Sequence, residues 1–442
     1  MTSPLPLSTV AENVPVVRPA STPGHPVILY GALGLLLFGP LAFGATEPWS
    51  HFLLESGSAL LFALWIIQQV KSGALEVRGN LLFAPMLAFG VLIALQFAFG
   101  QTASREHTLS TALLFTAYAL LCFLLVQTLQ QTRQLEWMAR AVAIYGVAVA
   151  LFALVQGFSS NGKLYWLRKP YFEGWIYGPY VNHNHYAGLM EMLTPVPLVI
   201  ALSRRCSRQN RWLAGAAASV MASSILFSGS RGGMIAFAAE MLLLVILLLR
   251  QNAHTKTMGA MVAFVLLTLV LAGWMGDSAL IQRLGSIHTQ ARSELSGGTR
   301  LSIDRDALRM SLQKPLWGWG LASFPDVYPQ FRSFYTNLWV DHAHNDYLQL
   351  LAEMGMAGFL VVVWFLIITL RAAAKKLRHQ GWGTNGLAGL AALVGISGIL
   401  VHSLVDFNLQ IPANAAIFYA LCTLAVMKPE LATASNHPKN RT

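Results

Sequence analysis

Apolar runs of about 20 residues recur along almost the whole chain, and no other feature restricts its fold as strongly. A helix rises about 1.5 Å per residue, so each run is long enough to cross a hydrocarbon core of about 30 Å. Unpaired backbone is costly in lipid, which leaves helix bundles and closed barrels. Runs such as Met241 to Leu249 lack the alternation that a barrel strand needs. Helices follow. Only 11% of residues are charged and 55% are hydrophobic, whereas soluble domains carry roughly 25% charged residues. The expected fold is an all-α polytopic membrane protein with about twelve transmembrane helices. The expected spans are 27–44, 51–70, 81–100, 108–128, 135–158, 184–203, 211–228, 232–250, 257–275, 348–371, 384–405 and 413–428.

The formal net charge of +11 invites a nucleic-acid reading. The basic residues lie mainly in short turns between apolar runs, as the positive-inside rule requires, so nucleic acid is excluded as a partner. Turns holding Lys71/Arg78, Arg133, Arg204/Arg205/Arg208/Arg211, Arg250/Lys256 and Arg371/Lys375/Lys376/Arg378 form the basic side. The opposite short loops hold only Arg105, Lys163, Arg168, Lys169 and Arg231. The basic side is therefore cytoplasmic. An even span count puts both termini there, as tails at 1–26 and 429–442 flanking a membrane domain at 27–428. The segment 276–347 becomes a long extracytoplasmic loop, in which 300–313 reads as an amphipathic helix ended by Pro315. Its apolar positions are Leu301, Leu308 and Leu312, and Trp317-Gly318-Trp319-Gly320 reads as a turn with interfacial aromatics. Residues 1–25 lack the charged-then-apolar pattern of a signal peptide. Cys122, Cys206 and Cys422 lie in apolar runs or a cytoplasmic turn, which argues against a disulfide framework.

Sorted by this topology, the unusual polar residues fall at or beyond the extracytoplasmic ends. They are Asn182-His183-Asn184-His185, Ser228-Gly229-Ser230-Arg231, Arg300, His342/His344/Asn345/Asp346 and Asp406/Asn408. Polar residues near membrane depth usually mark a pathway or a site. Arg231 sits in a loop of small residues that opens a helix, where backbone N–H groups and a guanidinium can grip phosphate. The alternative is a snorkelling arginine that sets topology. Arg300 follows Gly297-Gly298-Thr299 and alone is a weak signal, because Arg283, Arg292, Arg305, Arg309 and Arg332 share its loop. His344 can take a proton from a hydroxyl near neutral pH, with Asp346 or Asn345 to orient it. Gln349 and Glu353 share the helical face that follows. The alternative is a helix-capping cluster.

His183/His185 and His342/His344 also raise a metal. Each pair leads into a helix, where residues two apart face different ways, so no metal site is expected. Asn182 to Tyr186, with Glu191 on the same face, reads as capping plus a polar seam or as substrate contact. His402 to Asn408 reads as helix bridging or as sugar contact.

These segments together resemble the O-antigen ligase and polymerase family of bacterial membrane glycosyltransferases. The resemblance rests on Asn182 to Gly188, Ser228 to Gly233, Gly298-Thr299-Arg300, Pro315 to Gly320, and His344-Asn345-Asp346-Tyr347-Leu348-Gln349, in that order over roughly 180–410. It implies a GT-C-like helical fold with short helices in the long loop. It implies transfer of a glycan from undecaprenyl diphosphate to an acceptor sugar hydroxyl, such as that of lipid A–core, on the periplasmic face of the inner membrane. Neither a metal nor another cofactor is implied. Arg231 and Arg300 are implied to bind the diphosphate and His344 to activate the acceptor, with Asn182, His183, Asn184, His185, Ser230, His342, Asn345, Asp346 and Asp406 in contact or support. Asp304 stands where the family often has an aromatic. Ligase and polymerase share this donor chemistry, and a lipid-linked glycan transporter is a reading of another class; Glu240 inside a span points toward it.

Overall fold

A computed structural model describes residues 26–73, 75–170, 175–203, 205–251, 255–275, 297–336 and 339–427. Residues 1–25 of the expected N-terminal tail, the expected C-terminal tail and the part of the long loop at 276–296 lie outside the described residues. Every regular element among the described residues is helical, apart from two isolated bridge pairs. The main helices are α1 (Pro26–Leu41), α2 (Pro48–Ser72), α3 (Phe83–Ala98), α4 (Arg105–Thr128), α5 (Thr132–Phe158), α6 (His183–Leu193) and α7 (Pro195–Leu202). There follow α8 (Arg208–Ser228), α9 (Arg231–Arg250), α10 (Thr255–Met275), α11 (Gly297–Gln313), α12 (Asp346–Gln380), α13 (Thr384–His402) and α14 (Pro412–Val426).

Each expected span falls on helix. By length and composition, eight helices among the described residues are long and apolar enough to cross a membrane. Three further apolar helices, α1, α3 and α14, are shorter, and α8 belongs to neither group. Large aliphatic side chains are exposed along the spans, among them Leu242 and Leu249 on α9 and Val262, Leu266 and Val270 on α10. Such surface has no place in water and suits a lipid solvent.

The expected span 184–203 is a pair. Helix α6 ends at Leu193 and α7 begins at Pro195, because Pro195 and Pro197 lack the N–H that would continue the ladder. Together they are 83% buried, against 28–50% for α2, α4, α5, α9, α10 and α12, so α6 is the central post of the bundle. Helix α13 packs on α6, α9, α12 and α14. It closes against α6 and α9 because glycines remove side chains at the crossings: a Cβ on Gly395 would press the Met192 backbone, and one on Gly398 would strike Glu240.

Helix α12 runs past its expected end to Gln380 and is broken at Gly355 (φ 61°, ψ −167°). The freed backbone groups are taken by the Pro315–Gly320 segment. Trp319 and Gly320 N–H donate to the Ala352 and Glu353 carbonyls at 2.9 and 2.8 Å, and Met356 N–H donates to the Pro315 carbonyl at 2.8 Å. Gln96 Nε2 donates to the Trp317 and Glu353 carbonyls at 2.6 and 3.0 Å. Irregular backbone at such depth is tolerated because protein supplies its partners. The expected Trp-Gly-Trp-Gly turn is thus a ribbon laid on α12.

The apolar face expected of α11 is corrected as well. Leu301, Leu308 and Leu312 are exposed. The packed face is Ile303, Ala307 and Met310, which join Phe324, Tyr328, Val340 and Ala343 in a small core of the loop. Asp306 is buried on that face and accepts from the Ser333 N–H and hydroxyl at 2.9 and 3.0 Å.

Candidate active site

The turn between α13 and α14 carries Asp406 into contact with three elements distant in sequence. His185 Nε2 of α6 lies 3.6 Å from Asp406 Oδ1, and His344 Nδ1 lies 3.8 Å from the same oxygen. Arg300 Nη1 of α11 lies 3.8 Å from Oδ2 and donates to the Val405 carbonyl at 2.9 Å. The Asp406 side chain is 1% exposed and the His344 side chain 12%. Contacts of 3.6–3.8 Å exceed hydrogen-bond length, so they act as electrostatic pairs. Burial alone would raise the Asp406 carboxyl, yet His185, Arg300 and His344 hold it well below the usual range.

His344 occupies a left-handed turn, φ 53°, between Ala343 and Asn345. Asn345 caps α12 by accepting from the Tyr347 and Leu348 N–H groups. Asp346 does not orient His344. It accepts from Ser403 Oγ at 2.8 Å, Leu409 N–H at 3.1 Å and Gln410 Nε2 at 3.2 Å, tying the start of α12 to the turn that holds Asp406. Asp406 is the carboxylate that faces His344. Burial pushes the His344 imidazole down to about 4; Asp406 opposes this and Arg300 adds to it. The ring is therefore neutral at pH 7.

His342 differs in its hydrogen bonding. Gln349 Oε1 accepts the Ala343 N–H at 3.0 Å, which fixes the amide, so Gln349 Nε2 faces His342 Nδ1 at 3.1 Å as donor. Nδ1 is then an occupied acceptor and Nε2 carries the proton of the neutral ring. Burial also lowers its pKa, with Asp341 opposing. The expected Gln349–Glu353 face exists: Gln349 Nε2 donates to Glu353 Oε1 at 3.0 Å, and Glu353 accepts the Ala322 N–H at 2.9 Å.

Ser230 caps α9, accepting the Gly233 N–H at 3.0 Å. Arg231 follows at the first turn, exposed, its guanidinium without a hydrogen bond or ion pair among the described residues. A Cβ on Gly232 would come within 2.9 Å of Val405 Cγ2, so the start of α9 abuts the residue to which Arg300 is bonded. Helix N-termini attract anions. Asp304, one turn after Arg300, is raised by burial to about 6, with Asn345 and Arg300 opposing.

Asn182 caps α6 through the Asn184 N–H at 2.8 Å. The His183 ring lies against Trp175 at 4.6 Å, and Asn184 is buried on α6. Behind the site His402 Nδ1 meets Glu191 at 2.9 Å, both buried. Among the described residues no group of three or more His, Cys, Asp or Glu is arranged to hold a metal ion. A cavity of about 160 Å³ between α3, α4, α12 and α14 borders Asp346 and Ser403; Met86, Phe89, Phe115, Phe365 and Phe418 form its apolar wall.

The site thus joins His185, Arg300, His344 and Asp406, with Arg231 beside them, while Asn182, Ser230, Asn345 and Asp346 build the turns. Two features escaped the sequence reading: the role of Asp406 as hub, and Phe407, which touches three imidazoles. The cluster His402 to Asn408 was the available signal, but it does not say which rings meet there. Residues 216–363 match a family model described as O-antigen ligase. The match runs from within α8 to within α12, and so takes in Arg231, Arg300 and His344 but neither His185 nor Asp406. No curated protein matches the chain.

Proposed function

We propose that this chain, whose residues 216–363 match the O-antigen ligase model, transfers a glycan from undecaprenyl diphosphate to an acceptor sugar hydroxyl, as a ligase acting on lipid A–core. The observation that carries the reading is the meeting of a neutral imidazole, a carboxylate and Arg300 at Asp406, next to the α9 N-terminus that bears Arg231. The reaction needs a base for the hydroxyl and fixed positive charge for the leaving diphosphate.

His344 is the base. Its Nδ1 side faces Asp406, so Nε2 takes the acceptor proton and the imidazolium that forms lies beside a carboxylate. His342 is the weaker choice, because Gln349 occupies its Nδ1 lone pair. As the acceptor oxygen bonds the anomeric carbon, the bond to the diphosphate oxygen breaks and the configuration inverts. Arg231 and Arg300 receive the developing charge; donors of this kind are worth about 10²–10³ in rate each. The apolar cavity against α12 suits the polyprenyl chain. Loop charges support the periplasmic face of the bacterial inner membrane, with twelve spans and both termini cytoplasmic.

A polymerase would use the same donor chemistry on another lipid-linked glycan. A transporter is favoured by one observation, the buried Glu240 carboxylate on α9, which has no hydrogen-bond partner among the described residues. Glycolipid analysis of cells lacking the protein, complemented with wild type, His344→Ala or Arg231→Ala, separates the readings. Ligase predicts long polymer held on undecaprenyl diphosphate with bare lipid A–core, rescued by wild type alone. Single repeats without polymer would mean polymerase, and an unchanged pattern would sink glycan transfer.

A further inference from the structure

The ring of Phe407 is the common wall of three imidazoles that arrive from two different parts of the chain. His342 stacks on it at 4.3 Å between centroids and 26° between planes. His185 and His344 meet it edge to face, at 4.7 Å and 72° and at 4.8 Å and 78°. Phe407 is 8% exposed, so its ring is no platform for a sugar. Its own backbone is pinned, since Phe407 N–H donates to Asp406 Oδ1 at 2.8 Å. The oxygen that receives this bond is the one that His185 and His344 face. One residue pair thus supplies both the charge and the flat surface against which the imidazoles are set.

We propose that Phe407 is the positioning residue of the site: its ring fixes the orientation of His344 and screens His344 and the stacked face of His342 from water. The inference rests on the glycan-transfer reading for its rate consequence, but not for its geometry. Two physical effects of the ring oppose each other. An aromatic face stabilises an imidazolium weakly, whereas loss of water disfavours the charged ring far more strongly. Exclusion of water is the larger, so removing the ring makes the imidazoles easier to protonate. The groups that face them are Asp406 on the same turn, Arg300 on α11, His185 on α6 and Asp341 on their own segment.

The test uses the full chain in nanodiscs, with Phe407→Ala, Phe407→Leu and Phe407→Tyr. Carbethoxylation by diethyl pyrocarbonate, mapped by mass spectrometry and normalised to its high-pH plateau, reports the protonation midpoint of each histidine without any turnover. In folded Phe407→Ala the midpoints of His342 and His344 are expected to move up toward 6.5 together. Midpoints that stay where wild type has them would overturn the screening role. Phe407→Leu keeps water out but offers no flat face, so its midpoints stay low while kcat falls on the order of 10²-fold with donor KM unmoved. Phe407→Tyr restores kcat. Equal turnover by the Leu and Tyr variants would overturn the orienting role, and this comparison stands even where Phe407→Ala does not fold. Wild type that transfers no glycan would count against the proposed function and leave the midpoint comparison valid.

Discussion

At the residue scale, His344 sits at φ 53°, a region that non-glycine residues visit seldom and histidine more than most. Such a conformation persists where surrounding contacts over-determine it, here the Ala343–Gln349 bond on one side and the Asn345 cap on the other. A base must be unprotonated in the free enzyme, and burial keeps this ring so down to about pH 4. The acid limb of kcat/KM, which reports the free enzyme, is therefore expected well below the ordinary histidine value of about 6.5. Arg300→Gln removes a cation that lowers the His344 pKa, so the limb should move up; Asp406→Asn removes an anion that raises it, so the limb should move down. Initial rates against pH for the three proteins decide this. A wild-type limb at or above 6.5 would remove His344 from the role of base. The same depression makes the folded state lose stability as pH falls from about 6.5 toward 4, where the unfolded chain binds the proton and the folded chain does not.

At the element scale, the break in α12 holds the loop to the bundle. Gly355 combines φ 61° with ψ −167°, a region essentially confined to glycine, and a Cβ there would strike the Leu316 carbonyl. Gly355→Ala is expected to lower the unfolding midpoint, with a cost of at least about 1–3 kcal/mol, and to open the 315–321 ribbon to protease. Gly34→Ala, where nothing lies within 4 Å and alanine favours the helix, should neither lower the midpoint nor open the ribbon. Thermal unfolding and limited proteolysis in detergent compare the two; an unchanged Gly355→Ala would mean that the ribbon is not held by the break. The two apolar faces of α11 belong to this scale too. A helical period of 3.6 marks every apolar position, but only the fold says that Ile303 and Met310 turn inward and Leu308 outward.

At the scale of the whole molecule, the proposed topology separates two loops. The exposed Ser160, between α5 and α6, belongs outside, and Cys206, between α7 and α8, belongs in the cytoplasm. In intact spheroplasts a membrane-impermeant maleimide is expected to label Ser160→Cys and to spare Cys206 until the cells are opened. Labelling of Cys206 from outside would reverse the orientation and carry the site to the cytoplasmic face.

The sequence by itself determined that the chain is helical and membrane-embedded, because a 20-residue apolar run has few other solutions in lipid. It also marked the polar segments that meet at the candidate site, since charge near membrane depth is rare enough to be noticed. His344, Arg231 and Arg300 were singled out by short motifs and the resemblance they carry, and the fold brings His344 and Arg300 to one carboxylate. The break between α6 and α7 could have been read from Pro195 and Pro197, although apolarity ran straight through it. Which carboxylate faces His344 was not legible. Asp346 is two residues away and Asp406 sixty-two, and nearness along the chain favours the wrong one. The choice fell to tertiary structure: the cap at Asn345 turns Asp346 toward Ser403 and Leu409, and the α13–α14 turn delivers Asp406 in its place. Local sequence dictates backbone conformation through short-range sterics, whereas the partner of a buried charge is set by which helices pack.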